Sequence, residues 1–182
     1  METSRNSVSR VVKAVAFDFG HTLIDEHTDR NPVQLMPGVS EVLPQVSLPM
    51  AVWANTRAAD EAVVRGILRT AQIERYFSSV VTSVDAGFRK PAPEFFRFAL
   101  SQWPFPKEEV LFVSNQLNTD VLGAETFGIA TAWLSAPEFR SEDESMSLEE
   151  VQPTFVLSQF AELLPLLERL SIRAPAGSTA LD

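Results

Sequence analysis

The sequence predicts an α/β domain built on a three-layer, doubly wound (Rossmann-like) parallel sheet. Short apolar segments alternate with amphipathic segments of helical periodicity, and short polar loops separate them. The alternation runs from residue 11 to residue 170 without an internal repeat or a second apolar cluster. We therefore expect one domain over 11–170, with flexible ends at 1–10 and 171–182.

Six segments have the length and composition of strands, because each is a short apolar run bounded by turn residues. They are 11–17, 50–54, 80–83, 110–113, 129–134 and, as a short edge strand, 154–157. Five segments have helical spacing of apolar residues: 39–46, 60–71, 91–103, 120–127 and 159–170. We expect Asp60 or Thr56 to cap the second helix, Gly128 to end the fourth, and 85–91 to be a loop.

The charge and composition exclude several classes of function. The net charge is −9, and residues 135–152 hold six acids against one base, so an acidic loop carries most of it. A nucleic acid partner would require a basic face. The chain has no cysteine, no apolar signal-peptide core and no apolar run of the ~20 residues that a membrane helix needs. We expect a cytoplasmic protein without a membrane or nucleic acid partner.

Polar residues follow four of the predicted strands at the point where each strand ends. They are Asp18, the pair Asn55 and Thr56, Lys90, and the pair Asn115 and Asp120. The carboxyl ends of parallel strands meet at one edge of a sheet, where ligands of such folds bind. A carboxylate and an ammonium at one spot suit an anionic substrate that a cation holds and a carboxylate attacks.

Three of these segments resemble the motifs of the haloacid dehalogenase-like (HAD) superfamily, and the resemblance covers roughly residues 11–170. Residues 18–23 (DFGHTL) resemble its Asp-x-Asp-x-Thr motif, and residues 87–93 (GFRKPAP) resemble its lysine motif. Residues 114–120 (SNQLNTD), followed by Gly123 and Ala124, resemble its Gly-Asp-x-x-x-x-Asp motif. Members of this superfamily are mostly magnesium-dependent phosphatases with an aspartyl nucleophile.

The resemblance implies a role for each residue. Asp18 would attack phosphorus, Lys90 would neutralise the nucleophile and the phosphoryl group, and Asn55 and Thr56 would bind phosphoryl oxygens. Magnesium would be held by Asp18, the main-chain carbonyl of Gly20, Asn115 and Asp120. The partner implied is a phosphorylated substrate.

Two departures from the family motifs weaken the expected activity. Gly20 stands where the family has the acid that protonates the leaving group, and loss of such a group costs about 10²–10⁴-fold in rate. Asn115 replaces a metal-binding acid, and Ala54 replaces a Ser or Thr. The neighbouring His21 has a suitable pKa for proton transfer and is a candidate replacement.

Two other functions stay open on the same residues. Ser114 and Asn115 resemble the metal-independent dehalogenases of the superfamily, while the loss of acids at Gly20 and Asn115 suits a degenerate binding or scaffold protein. About a dozen residues separate Leu23 from Pro37, too few for a helical cap. We therefore expect a capless domain whose open site suits a large substrate or a protein partner that covers it.

Overall fold

The apolar segments form six parallel strands in one sheet. The structure is a computed structural model, and it describes residues 11–25, 33–139 and 151–171. The strands are β1 (Ala14–Phe17), β2 (Met50–Ala54), β3 (Phe77–Thr82), β4 (Val110–Ser114), β5 (Ala130–Leu134) and β6 (Phe155–Leu157). Their order is β3-β2-β1-β4-β5-β6, and every pairing is parallel. The doubly wound sheet and the edge position of the last strand are as predicted.

Six α-helices connect the strands within the described ranges. They are α1 (Val39–Val42), α2 (Glu61–Thr70), α3 (Ser83–Ala86), α4 (Pro93–Ser101), α5 (Leu122–Phe127) and α6 (Leu163–Ser171). Asp60 caps α2, since its side chain accepts from the main-chain N–H of Val63 at 3.0 Å. Gly128 ends α5 in the left-handed region with φ 95°, a conformation that glycine adopts without strain. Both caps were predicted.

Helices cover both faces of the sheet and create two apolar layers. Val15 and Phe17 of β1 belong to the cluster that also holds buried residues of α2 and α6. Ala14 and Ala16, on the opposite face, belong to the cluster around Phe96 of α4. Alternate residues of a strand face opposite sides, so β1 is buried on both. The carboxyl end of β1, which leads into Asp18, therefore lies between the two apolar clusters.

The predicted boundaries are wrong at several places where serines or turns interrupt an apolar run. β3 begins at Phe77 and not at residue 80. The polar Ser78 is accommodated in the strand because its hydroxyl donates to the carbonyl of Met50 and accepts from the indole N–H of Trp103. Residues 83–86 are helical, and not part of a loop, because Thr82 and Asp85 form a capping box. Residues 117–121, expected as a loop and helix start, form a π-helical turn before α5.

The chain after β1 folds back on itself. Gly20 bridges Ile24, and Ile24 bridges Leu35 on the returning chain. Residues 26–32 between them lie outside the described residues, so the absence of a cap domain stays a prediction. The expected flexible ends at 1–10 and 172–182, and most of the acidic loop, also lie outside them, whereas Ser171 is the last residue of α6. No helix in the described ranges has the length and apolarity needed to cross a membrane.

Candidate active site

Asp18 stands directly after the central strand, at the crevice where the order of the strands reverses. Its main-chain N–H donates to the carbonyl of Val113 on β4 at 2.9 Å, which fixes its position between the two neighbouring strands. The residue is 6% exposed, so it is buried with a small accessible part. Open α/β sheets bind ligands in this crevice.

Lys90 meets Asp18 from the loop between α3 and α4. Its Nζ donates to Asp18 Oδ1 at 2.6 Å, to Asp120 Oδ2 at 2.8 Å and to the main-chain carbonyl of Trp53 at 2.8 Å. An ammonium has three N–H donors, so all three are engaged by the protein. The Nζ also lies 5.1 Å from the ring centroid of Phe112. The cation is thus enclosed between two carboxylates and an aromatic wall.

Asp120 lies inside the π-helical turn and is 1% exposed. Its Oδ2 accepts from Lys90 and from the hydroxyl of Ser114 at 2.7 Å, and its Oδ1 accepts from the hydroxyl of Thr119 at 2.8 Å. Asp120 was predicted to be a metal ligand. In the structure both oxygens are engaged by protein donors, an arrangement that the sequence did not predict.

The cluster has one negative charge more than it has positive charges, and this affects its pKa values. Burial raises the pKa of Asp18 to about 7; Lys90 opposes the rise, and the charge of Asp120 adds to it. Burial alone would lower the pKa of Lys90, but the two carboxylates outweigh burial and raise it. Lys90 therefore stays charged, whereas the raised pKa of Asp18 favours its protonated form.

Asn55 holds the main chain of Lys90. Its Oδ1 accepts from the N–H of Lys90 and its Nδ2 donates to the carbonyl of Lys90, both at 2.9 Å. Thr56 lies in the same turn, and its hydroxyl donates to the carbonyl of Ala59 at 2.5 Å. These two residues were expected to bind phosphoryl oxygens; their hydrogen bonds in the structure position the lysine loop and the turn after β2.

Asn115 is buried, with 1% of its surface exposed, and it forms hydrogen bonds with three different parts of the site. Its Nδ2 donates to the carbonyl of Phe139 at 2.6 Å, and its Oδ1 accepts from the hydroxyl of Thr22 at 3.0 Å. Its main-chain carbonyl accepts from the indole of Trp133 at 2.9 Å. The Thr22 hydroxyl also lies 3.5 Å from Asp18 Oδ2. Asn115 therefore reaches the nucleophile candidate through Thr22.

Gly20 and His21 lie in the turn that follows Asp18. His21 has φ 54°, and its main-chain N–H donates to the carbonyl of Ile24 at 2.7 Å. The turn is closed further by N–H groups of Leu23 and Ile24, which both donate to the carbonyl of Phe19. The side chain of His21 is half-buried in this turn. The structure thus brings Asp18, Lys90 and Asp120 into direct contact, and arranges the other predicted residues around them.

Three participants were missed by the sequence analysis: the hydroxyl of Ser114, the carbonyl of Trp53 and the carbonyl of Phe139. Ser114 was readable in principle, because it ends a predicted strand beside a motif acid. The two carbonyls carry no signal in the sequence, since any residue type supplies one.

The candidate metal ligands have suitable chemistry but little charge. Asp18 Oδ2 and Asn115 Oδ1 both lie against the Thr22 hydroxyl, and Gly20 offers a carbonyl in the same turn. Carboxylate, amide and carbonyl oxygens are ligands that magnesium accepts. Among the described residues, no group of three or more His, Cys, Asp or Glu side chains could hold a metal ion. The described residues therefore offer oxygen ligands of the type that magnesium accepts, but few charged ones.

Comparisons with known proteins find relatives of the chain among hydrolases. The family model described as HAD-hydrolase-like matches residues 87–163, which include Lys90, Asn115 and Asp120. The chain is 32% identical over 128 residues to the pyrimidine 5'-nucleotidase YjjG of Escherichia coli (strain K12), covering 67% of this chain and 54% of that protein. It is 27% identical over 145 residues to (S)-2-haloacid dehalogenase 2 of Pseudomonas sp. (strain CBS-3), covering 80% and 59%. The chain spans about half the length of the curated relatives it matches.

Solved structures share the fold over nearly the whole described chain. An uncharacterized protein from Listeria monocytogenes serotype 4b has a TM-score of 0.72 and 29% identity, covering 87% of this chain and 99% of that one. The putative HAD-hydrolase YfnB of Bacillus subtilis, in a magnesium-bound crystal form, has a TM-score of 0.72 and 16% identity, covering 86% and 99%.

A doubly wound sheet with an aspartate–lysine pair at its switch point, together with these matches, defines an α/β domain with the HAD-like fold. The family model, the relatives and the solved structures support the assignment of the chain to the haloacid dehalogenase-like (HAD) superfamily.

Proposed function

We propose that the chain hydrolyses phosphate esters, with Asp18 as the nucleophile, with magnesium as the cofactor and with low turnover. The observation that supports this most is the contact of 2.6 Å between Lys90 Nζ and Asp18 Oδ1. Lys90 holds Oδ1 of the carboxylate, while the other oxygen, Oδ2, lies 3.5 Å from the Thr22 hydroxyl. A carboxylate fixed by one oxygen presents the second to a substrate in a defined direction.

The proposed reaction has two displacements. Asp18 attacks phosphorus, the P–O bond to the alcohol breaks, the leaving oxygen takes up a proton, and an aspartyl-phosphate remains. Water then attacks the same phosphorus, which releases inorganic phosphate and restores the carboxylate. Bound magnesium would supply positive charge to the phosphoryl oxygens, held by Asp18, the Gly20 carbonyl and Asn115, with Asp120 behind them on Lys90.

The proton for the leaving oxygen is the weak point of this chemistry, because Gly20 has no side chain to supply it. His21 is the residue of the same turn that we propose for proton transfer. Replacing His21 by Gln should lower kcat and remove a limb of its pH dependence, with little change in KM. Unchanged pH profiles would leave solvent as the proton source.

The test of the proposed function is an assay of p-nitrophenyl phosphate hydrolysis with magnesium. Wild type should turn over, Asp18→Asn should fall to the background, and Glu108→Gln, an exposed acid on the chain before β4, should match wild type. Equal activity of wild type and Asp18→Asn would refute the proposal.

A second candidate is a binding or scaffold protein that retains the fold after losing catalysis. It is supported by the engagement of Asp120 and Asn115 in hydrogen bonds with other protein groups. This candidate predicts no Asp18-dependent turnover of any aryl phosphate, and a protein partner that covers the open site. Because the chain is also similar to a 2-haloacid dehalogenase, a third assay measures the release of chloride from 2-chloropropionate without magnesium.

A further inference from the structure

We propose that Arg89, together with the neighbouring Arg57, binds a second oxyanion of the substrate, so that the preferred substrates are phosphate esters with another anionic group. The inference rests on the proposed function, because it names the substrate class of the same site. It goes beyond that function by assigning specificity to exposed side chains outside the buried cluster around Asp18. Two observations carry it: the fixed place of the Arg89 guanidinium, and the charge that surrounds it.

The Arg89 guanidinium is held in the turn after β2. It donates to the carbonyl of Thr56 at 2.6 Å. Ser83 fixes the same turn, because its hydroxyl accepts from the N–H of Thr56 and donates to its carbonyl, both at 3.0 Å. A guanidinium has five N–H donors, and within the described residues one of them is used. Arg89 is therefore exposed and yet fixed in place, with most of its donors available to a ligand.

This turn and Asp18 lie at the same edge of the sheet. β1 and β2 are neighbours, and Phe17 lies beside Val52, so Asp18 follows at the level of Trp53. Neighbouring strands are about 4.8 Å apart, and a strand rises about 3.3 Å per residue. Thr56 comes three residues after Trp53, so it lies at most about 10 Å further out. A small molecule whose phosphate lies at Asp18 can therefore reach the guanidinium with a second group.

The two arginines are cations without an acidic partner in the described part of the chain. Arg57 follows Thr56 directly, and both Arg57 and Arg89 are exposed. None of the ion pairs between described residues includes either of them. The loops after two neighbouring strands thus bring two positive charges to the turn at Thr56.

The acids of the adjacent segments already have other partners. Asp60 caps α2. Asp85 accepts from the hydroxyl of Thr82 at 2.6 Å and from the N–H of Glu61 at 2.9 Å. Glu61 in turn pairs with Arg65 at 2.7 Å. In a chain with a net charge of −9, two uncompensated cations at the functional edge favour an anionic ligand at that place.

The buried lysine does not serve a second anion. All three N–H groups of Lys90 donate to protein oxygens. A guanidinium, in contrast, is planar and binds phosphate or carboxylate oxygens with two parallel hydrogen bonds. The reacting phosphate would therefore lie at Asp18, and the second oxyanion of the substrate at Arg89.

Calorimetric titration of the whole chain tests this contact without requiring turnover. The probes are the α,ω-alkanediphosphonates from propane to octane and the alkylphosphonates of matching length, all at one fixed magnesium concentration. Phosphonates keep the oxyanion but have a P–C bond in place of the ester bond. At the best chain length the diphosphonate should bind at least about tenfold more tightly than the alkylphosphonate, as a charge-assisted hydrogen bond provides. Equal affinities at every length would overturn the proposal.

Variants assign the preference for diphosphonates to the named arginines. Arg89→Gln should abolish the preference, and Arg57→Gln should lower it. The matched control is Arg69→Gln, which removes an exposed arginine in the last turn of α2, near the start of β3 at the opposite edge of the sheet. This control should keep the preference. A preference that survives in Arg89→Gln refutes the inference.

Arg89→Lys separates the charge of the side chain from the structure of its loop. It keeps the positive charge but lacks the planar fork, so it should retain more of the preference than Arg89→Gln. Equal losses in the two variants would assign the effect to the loop and refute the inference. Failure of the proposed function is distinct: absence of Asp18-dependent turnover refutes that function alone, and absence of a diphosphonate preference refutes this inference alone.

Discussion

The side chain of Asn55 hydrogen-bonds both main-chain polar groups of Lys90: it accepts from the N–H and donates to the carbonyl, each at 2.9 Å. The two residues are 35 positions apart and come from different strand ends. These two hydrogen bonds form a clamp that fixes the main chain of Lys90 and so positions its ammonium beside Asp18. The position of the only cation in direct contact with Asp18 among the described residues thus depends on an amide that does not touch Asp18.

Asn55→Ala removes both bonds of this clamp. We expect a loss of about 1–3 kcal/mol in the free energy of unfolding, because two partly buried main-chain groups lose their partners, together with reduced Asp18-dependent activity. Urea denaturation and steady-state kinetics measure the two effects. Asn55→Asp keeps the acceptor but sets a carboxylate oxygen against the carbonyl of Lys90, so it should not restore stability. A raised KM with unchanged stability would instead support direct phosphate binding by Asn55.

Lys90→Met leaves two buried carboxylates without their cation. Breaking a buried ion pair in this way costs about 3–5 kcal/mol, and we expect that loss in urea denaturation at pH 7. Lys13→Met is the matched control: Lys13 pairs with Glu109 at 2.6 Å, but its side chain is 56% exposed. Its removal should cost about 0–1 kcal/mol. Similar losses in the two variants would contradict the burial and charge of the cluster.

The pH dependence of stability should report Asp18. Its pKa rises from 3.8 to about 7 on folding, so between these values the folded protein binds a proton that the unfolded chain does not. The contribution of Asp18 to the free energy of unfolding is then fully present below pH 3.8, and it is lost as the pH rises through about 7. Asp18→Asn should flatten this decline and exceed wild type in stability above pH 7. Urea midpoints from pH 4 to pH 8 measure the slope, and parallel curves for the two proteins would count against it.

Two glycines give a paired prediction about packing. A Cβ at Gly123 would lie 2.8 Å from Cα of Pro91 and 2.8 Å from Phe96, whereas nothing lies within 4 Å of a Cβ at Gly66 in α2. Gly123→Ala should therefore cost about 1–3 kcal/mol through overpacking and move the main chain next to Lys90. Gly66→Ala should stabilise the protein by up to about 1 kcal/mol through helix propensity. Thermal denaturation of both variants checks the sign of each change.

The sequence was informative about the site where chemistry and chain position coincide. A buried apolar strand that ends in Asp18 predicts where that carboxylate lies, because parallel strands share one functional edge. The same reasoning brought Lys90 and Asp120 to it, and the hydrogen bonds join all three. The doubly wound sheet followed from the same alternation of strands and helices.

The contacts that the sequence did not predict depend on main-chain groups far away in sequence. Asn115 meets a carbonyl 24 positions later, and Asn55 meets the main chain of a residue 35 positions later. Neither partner is marked by its residue type. The start of β3 was missed for a related reason, since Ser78 is tolerated in the strand by hydrogen bonds to Met50 and Trp103 that exist only after folding.

The long separation of the charged partners also orders their assembly during synthesis. Lys90 follows Asp18 by 72 positions, and Asp120 follows Lys90 by a further 30. β4, which holds the main chain of Asp18, is likewise translated after Lys90. The hydrogen bonds of Asp18 to Lys90 and to β4 can therefore form only after more than half of the polypeptide has been synthesised. Assembly of this charged cluster should consequently be a late event in folding.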